Sequence, residues 1–147
     1  MADLPQLQRS ALGWLSRRDY SEYQLRQKLT QQGATSEQCQ QVINWCKSEN
    51  YLNQQRFVAM LIRSRSNQGY GPEWVRQECR QHQISNNELA TVLAEGEPDW
   101  SAIARQLCQK KFGTVPATDY KDKMKRMAYL QRRGFSTEQI KYALATE

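Results

Sequence analysis

Basic side chains are the residues of this sequence best suited to specific chemistry. Arg63, Arg65 and Arg76 lie in the central third, and a denser set follows further along the chain: Lys110, Lys111, Lys121, Lys123, Lys125, Arg126, Arg132 and Arg133. A planar guanidinium matches a carboxylate or a phosphate, and a lysine ammonium attracts either as a point charge. These residues predict ionic binding of a protein or nucleic-acid partner, and not the making or breaking of bonds.

The basic excess is concentrated in one part of the chain. The net charge is +6, yet residues 1–50 hold six basic and five acidic residues, residues 51–98 hold five of each, and residues 99–147 hold ten and five. An uneven basic distribution favours an anionic partner, with nucleic acid first. A solvated basic surface is the alternative, and Arg132 and Arg133 can also serve the dipole at a helix end. We favour the anionic partner.

The central arginines allow two interpretations. Arg63 and Arg65 are two positions apart, so they do not share one face of a helix. One or both can meet a partner's carboxylate or phosphate, or they can form internal ion pairs with Glu73 or Glu78 of the following helix. The sequence leaves this choice open.

No set of residues is arranged for catalysis or metal binding. The chain lacks the G-x-S-x-G, P-loop and H-E-x-x-H patterns, and its one histidine, His82, is predicted to be solvent-exposed. The four cysteines (Cys39, Cys46, Cys79 and Cys108) have no C-x-x-C spacing, so they are predicted to be small buried hydrophobes. We therefore expect no enzymatic activity, no catalytic residue, no cofactor and no metal.

A repeated pattern defines the elements that position the basic residues. Residues 29–43, 79–93 and 130–144 align with one another without gaps. Each contains a predicted helix end, at Gly33, Gln83 or Gly134, where glycine favours the left-handed conformation that closes a helix. Each then has a capping box that starts the next helix: Thr35 with Gln38, Ser85 with Glu88 and Ser136 with Gln139. Three matches in register predict helical repeats of about 50 residues.

The predicted fold is all-α, with three tandem three-helix repeats stacked into an elongated, curved array. The boundaries are expected at 1–50, 51–98 and 99–147, with Trp45, Tyr51 and Trp100 packing between neighbours. Within the second repeat, Gly69, Tyr70 and Gly71 end one helix and Pro72 starts the next. The Tyr70 ring can fill the hydrophobic core of its own repeat, or it can stack on a nucleic-acid base. Because Tyr20 occupies the equivalent turn, with Phe112 as a third candidate, we favour the structural role.

Localisation and assembly follow from what the sequence lacks. No apolar stretch approaches the roughly 20 residues of a membrane span, and the first residues do not resemble a signal peptide. We expect a cytoplasmic protein, a monomer, that does not bind membranes.

Six short motifs in order resemble the RecX family, whose members regulate the recombinase RecA. The resemblance covers about residues 6–144 and rests on these stretches: Arg17-Arg18-Asp19-Tyr20-Ser21, Tyr51-Leu52 with Arg56-Phe57, Arg63-Ser64-Arg65, Gly69-Tyr70-Gly71-Pro72, Lys110-Lys111-Phe112-Gly113, and Leu130 to Ser136 (LQRRGFS). Two departures from the family pattern are Asn53-Gln54-Gln55, where acidic residues are common, and Cys79, where leucine is common.

The resemblance implies an all-helical protein of three-helix repeats that catalyses nothing itself. It implies binding to RecA and to its filaments on single-stranded DNA, mostly inhibiting strand exchange, ATP hydrolysis and coprotease activity. Regulation of recombination, the SOS response and DNA repair would follow. Direct DNA contact is left open, and two alternatives remain: an autonomous helical DNA-binding module, or a helical-repeat adaptor for another protein.

Overall fold

The computed structural model describes residues 2–145, which contain nine α-helices and no strand. Their bounds are α1 Leu4–Leu15, α2 Glu22–Gln31, α3 Ser36–Ser48, α4 Gln54–Asn67, α5 Pro72–Gln81, α6 Asn86–Glu95, α7 Trp100–Phe112, α8 Tyr120–Arg132 and α9 Thr137–Leu144. The all-α prediction of three three-helix repeats is confirmed. In this range no helix has the length and apolar character that crossing a bilayer requires.

Side-chain caps explain where the helices begin. The three predicted capping boxes form, each with reciprocal hydrogen bonds between a hydroxyl residue and the Gln or Glu three positions later. A fourth forms at Ser21 with Gln24, at the start of α2. Asn53, Asp99 and Asp119 cap α4, α7 and α8 through one side-chain oxygen each. Helix α8 begins at Tyr120, directly after the cap residue Asp119.

The second helix of every repeat ends in the same backbone conformation. Gly33 has φ 91°, Gln83 has φ 57° and Gly134 has φ 94°. The predicted helix ends are therefore confirmed, including the one where glutamine takes a conformation that favours glycine. We call the turn between the first and second helices of a repeat its first corner, and the turn between the second and third its second corner. The first corners span 16–21, 68–71 and 113–119, and the second corners span 32–35, 82–85 and 133–136.

Each repeat has its own hydrophobic core. Leu7, Leu25 and Ile43 are among the fully buried residues of the first, and Phe57 and Val75 of the second. Leu130 belongs to the third. The closest helix pairs also lie within repeats, for example α7 with α9 and α1 with α3. Each three-helix unit thus buries its own apolar surface, and the contacts that join units are few and specific.

The prediction that aromatic residues join the repeats holds at one boundary only. Trp100, the first residue of α7, is buried in the core of the second repeat and so links the second and third. At the other boundary, Trp45 packs on the core of the first repeat. Tyr51 lies edge-on to Trp45 and is 40% exposed. That part of the prediction is wrong, because polar groups make the contact between the first two repeats.

The four cysteines are buried, as predicted, and none is in a disulfide. Burial raises the pKa of Cys46 to about 11, and that of Cys79 also to about 11. The thiols of Cys46 and Cys79 therefore stay protonated near neutral pH, and all four side chains pack as small hydrophobes. Within residues 2–145 no group of three or more His, Cys, Asp or Glu side chains is placed to hold a metal ion.

Candidate partner-binding surface

Neighbouring repeats dock in the same way at both junctions: the first corner of one repeat lies against the second corner of the next. Between the second and third repeats, the backbone N–H of Gly71 donates to the carbonyl oxygen of Arg133 at 2.8 Å, and that of Glu73 to Gly134 at 3.0 Å. Between the first and second repeats, Ser21 Oγ lies 2.7 Å from His82 Nδ1. By position in the repeat, Ser21 corresponds to Gly71 and His82 to Arg133.

Tyr70 is held inside the junction between the second and third repeats. Its ring stacks on Trp74, with centroids 4.2 Å apart and an interplanar angle of 24°. The guanidinium carbon of Arg133 lies 4.3 Å from the same centroid. Two groups this close to one ring centre occupy opposite faces, so neither face is free to stack on a base. The position agrees with a structural role for Tyr70.

Tyr20 occupies the matching position at the first corner of the first repeat. Its side chain is buried, its hydroxyl accepts a hydrogen bond from Lys28, and the guanidinium of Arg18 covers its ring at 3.9 Å. Phe112 is not equivalent. It ends α7 ahead of the corner, and its ring lies nearly perpendicular to that of Tyr129, with centroids 5.5 Å apart.

His82 is part of the junction between the first and second repeats, so the prediction that it is solvent-exposed is wrong. The imidazole is half-buried, with its centroid 4.8 Å from that of Phe57 and its Nδ1 hydrogen-bonded to Ser21. Desolvation lowers the pKa of His82 below its ordinary value of 6.5. Of the charged groups nearby, Glu78 opposes that shift, whereas Arg18 adds to it. In the neutral tautomer that carries its proton on Nε2, Nδ1 accepts a hydrogen bond from the Ser21 hydroxyl.

We expect the free energy of unfolding to fall as the pH drops from about 7 to 5. Because the pKa of His82 is lower in the folded protein than in the unfolded chain, the unfolded chain binds more protons in this range, which destabilises the fold. Urea unfolding at pH 7.5 and 5.5 measures the difference. In the His82→Gln variant this component should vanish, since glutamine occupies the equivalent position, Gln32, in the first repeat. An equal pH dependence in both proteins would contradict the assignment.

An ion pair and a hydrogen bond complete the junction between the first and second repeats. Arg56 of α4 donates to Asp19 at 2.7 Å, and the side chain of Gln54 accepts from the backbone N–H of Glu22 at 2.9 Å. The sequence interpretation missed this polar junction. The alignment of the repeats offered one signal, because it places His82 opposite Arg133 and therefore at the same second-corner position.

Arg65 binds Glu78 within the second repeat, which is the internal alternative that the sequence left open. Its Nε donates to Glu78 Oε1 and its Nη2 to Oε2 at 3.1 Å, and the indole N–H of Trp74 donates to Oε1 at 2.8 Å. The hydrogen bonds that Arg65 donates to Glu78 raise the pKa of Arg65 above its ordinary value. The carboxylate thus fixes both Arg65 and the ring on which Tyr70 stacks.

We expect Glu78→Gln to lower the free energy of unfolding by about 2 kcal/mol, because it removes hydrogen bonds to a charged group in a half-buried site. Glu73→Gln is the matched control on the same helix: Glu73 pairs with Arg76 one turn away and is more exposed, so its loss should cost under about 0.5 kcal/mol. Urea unfolding at constant pH measures both variants. Equal effects of the two substitutions would contradict the ranking.

Two more of the predicted binding residues are occupied inside the protein. Arg76 pairs with Glu73. Arg126 is only 8% exposed: its guanidinium pairs with Asp122 and donates to the carbonyl oxygen of Val115 at 2.9 Å, which ties the long first corner of the third repeat to α8. The Arg126 guanidinium is not free to meet a partner, and the Arg76 guanidinium is already paired at the surface, so we leave both out of the surface proposed below.

Apart from Arg133, which lies over the Tyr70 ring, the other predicted binding residues are exposed at the surface. Arg63 is exposed on α4, and no ion pair in residues 2–145 involves it. We define the basic face as the exposed cations of the third repeat in the predicted set: Lys110, Lys111, Lys121, Lys123, Lys125 and Arg132. Within the described range none of these six forms an ion pair. Their charge is therefore available to an anionic partner.

Models of three domains of one protein family match the chain in order. The model described as the first three-helix domain of RecX matches residues 9–46, the second matches residues 53–93 and the third matches residues 97–144. The three matches follow the three groups of helices, α1–α3, α4–α6 and α7–α9, that the structure shows.

Whole proteins with the same description are also similar. The chain is 38% identical over 138 residues to a regulatory protein RecX of Vibrio vulnificus, covering 94% of this chain and 90% of the relative. It is 38% identical over 136 residues to one of Escherichia coli O1:K1, covering 86% and 82%. A crystal structure of RecX from Lactobacillus salivarius is similar in fold, with a TM-score of 0.80 at 16% identity, covering 95% of this chain and 93% of that one.

Proposed function

The chain belongs to the RecX family of regulatory proteins, and from that premise we propose that it binds RecA and RecA filaments on single-stranded DNA. We propose further that it modulates, and mostly inhibits, the recombinase, ATPase and coprotease activities of RecA. The basic face carries this proposal. Six exposed cations that form no ion pair within residues 2–145, together with Arg63, supply charge for the acidic surface of a protein or for phosphates.

The repeat architecture supports a mechanism based on differential affinity. Three units in a row present contacts spaced along the chain, so one molecule can touch more than one subunit of a filament. A ligand shifts an equilibrium only when it binds one state more tightly than the other. Binding that favours one filament state would therefore slow turnover and growth together, without any chemistry by the protein itself.

The test is the ATPase rate of RecA on single-stranded DNA with this protein titrated in. The rate should fall with increasing protein and reach a plateau when the filament is saturated. An unchanged rate at micromolar protein, with the helical fold confirmed by circular dichroism, would refute the proposal. Tight, sequence-dependent DNA binding without RecA would favour an autonomous DNA-binding module. Affinity purification that recovers other proteins but no RecA would favour an adaptor.

A further inference from the structure

A cleft of about 540 Å³ lies between the second and third repeats, beside the contact of their corners. The end of α4 and its corner, from Ser66 to Gly69, form one wall, and α7 and α8 form the other. The cleft is within the range of ligand-binding sites, roughly 300–1,000 Å³. Packing of the junction does not require it, because the backbone contacts that join the corners lie at Gly71 and Gly134.

Three cations line this cleft, and no Asp or Glu is among its lining residues. Lys110 and Lys111 come from the last turn of α7, and Arg133 comes from the end of α8. Each of these positions is next to a helix C-terminus, whose dipole stabilises a cation locally. Two adjacent helix ends nevertheless place their cations around one cavity, so the positive potential is concentrated there.

Arg133 has a hydrogen-bond donor without a partner. Its Nε is buried and makes no hydrogen bond, and its Nη2 reaches the carbonyl oxygen of Gln68 only at 3.4 Å. The guanidinium of Arg133 lines the cleft and makes only one long hydrogen bond inside the protein, so it keeps donor capacity for an acceptor that binds in the cleft. A phosphate or a carboxylate is the acceptor that suits a guanidinium best.

The position of Tyr129 favours the phosphate of a nucleic acid over a carboxylate as the anion bound in this cleft. Its half-buried ring lines the cleft among the cations, with Lys111 Nζ 5.5 Å and the guanidinium carbon of Arg133 5.9 Å from its centroid. A cationic groove that contains an aromatic ring is the arrangement by which proteins hold single-stranded nucleic acids, with phosphates on the cations and a base on the ring. A duplex hides the faces of its bases, and a carboxylate has no ring that could stack on Tyr129.

We propose that this cleft binds single-stranded nucleic acid, with Lys110, Lys111 and Arg133 at the phosphates and Tyr129 against a base. The inference goes beyond the proposed function, because it gives the chain a ligand of its own whether or not RecA is present. It also assigns three of the basic residues of the third repeat to one defined binding site.

Fluorescence anisotropy with a labelled oligothymidylate, without RecA, tests the charges of the cleft. The double variant Lys110→Gln/Lys111→Gln should bind about 25-fold more weakly at 0.1 M salt, and the slope of log K against log salt should fall by about 1.4, since each phosphate contact contributes about 0.7. The control, Arg17→Gln/Arg80→Gln, removes two exposed charges from the first and second repeats and should bind nearly as the parent protein does. Equal losses in both variants, or no binding by the parent protein, would overturn the proposal.

The ring is tested separately by Tyr129→Leu and Tyr129→Phe. Leucine should weaken binding at least about 5-fold, and phenylalanine should restore it, because stacking needs the ring and not the hydroxyl. A loss with both variants, or with neither, would contradict stacking. If the lysine variant loses RecA binding but keeps oligonucleotide binding, the cleft receives an acidic protein surface and the nucleic-acid assignment is wrong. RecA regulation is measured by the ATPase titration, so the two proposals can fail independently.

Discussion

Gly71→Ala is expected to detach the third repeat from the second and to lower the free energy of unfolding by about 3 kcal/mol. An added Cβ would clash with the carbonyl oxygen of Gly134, and it would stand 2.6 Å from that residue's carbonyl carbon and 2.8 Å from the nitrogen of Phe135. These are backbone atoms of the opposite corner, so no side-chain rotation relieves the clash. Overpacking of this kind costs roughly 1–3 kcal/mol, and two backbone hydrogen bonds are lost with it.

Gly71→Ala is destabilising because the two corners leave no space for a Cβ, and not because Gly71 has an unusual backbone conformation. Its φ of −95° and ψ of 179° are open to any residue. Urea unfolding followed by circular dichroism measures the loss, and a broadened transition would report that the third repeat unfolds separately.

Gly13→Ala is the matched control. Gly13 lies within α1, and an added Cβ there meets nothing within 4 Å. Alanine is favoured over glycine in a helix by roughly 1 kcal/mol, so this variant should be slightly more stable than the parent. If Gly71→Ala changes the free energy of unfolding by less than about 0.5 kcal/mol, the junction does not need the close approach that the structure shows.

Local signals were enough to predict the helices and their ends. A capping box involves residues three positions apart, and a left-handed helix end involves a single residue, so neither depends on the rest of the fold. Gln83 shows how the repeats helped: alone it gives no sign of a helix end, but alignment with Gly33 and Gly134 predicted one, and its φ of 57° agrees.

The hydrogen bonds and ion pairs of the junctions were not predicted, because their partners are far apart in sequence. Ser21 and His82 are separated by 61 residues, and neither type indicates the contact. The prediction that Arg126 lies on the basic surface was wrong for a related reason. It was counted with the basic surface because of its neighbours, whereas the corner that covers it comes from before α8. Asp122 lies four residues before Arg126 on the same helix, and this spacing indicated an internal ion pair between them.

Arginine and lysine have different roles in this protein. Arg56, Arg65, Arg76 and Arg126 each pair with a carboxylate of the chain, whereas the basic face is mostly lysine. A guanidinium keeps several fixed donors and loses less on desolvation, which suits half-buried pairs. A strongly hydrated ammonium on a flexible stem suits a surface that meets a partner from solution. The composition of the third repeat therefore favours binding over internal stabilisation.

Reversing three lysines of the basic face should weaken binding to RecA filaments roughly 100-fold while leaving the protein folded. Lys121, Lys123 and Lys125 are all exposed on α8, and Lys→Glu at each removes no ion pair within residues 2–145. Lys121 and Lys123 lie in the first turn of α8, where acidic residues complement the helix dipole, so stability should not fall. Electrostatic attraction acts mainly on association, and removing it slows encounter by about 10- to 1,000-fold. Surface plasmon resonance on immobilised filaments measures both rates.

The matched control reverses the same number of charges elsewhere. Arg9, Arg17 and Arg80 are exposed in the first two repeats, and Arg→Glu at all three gives the same net charge as the lysine variant. If attraction depends only on total charge, both variants will weaken alike; if the basic face is the contact, the lysine variant will weaken far more. Unchanged affinity of the lysine variant would mean that these lysines are only solvated. A difference that disappears above about 0.5 M salt would identify it as electrostatic, since screening then acts within a few ångströms.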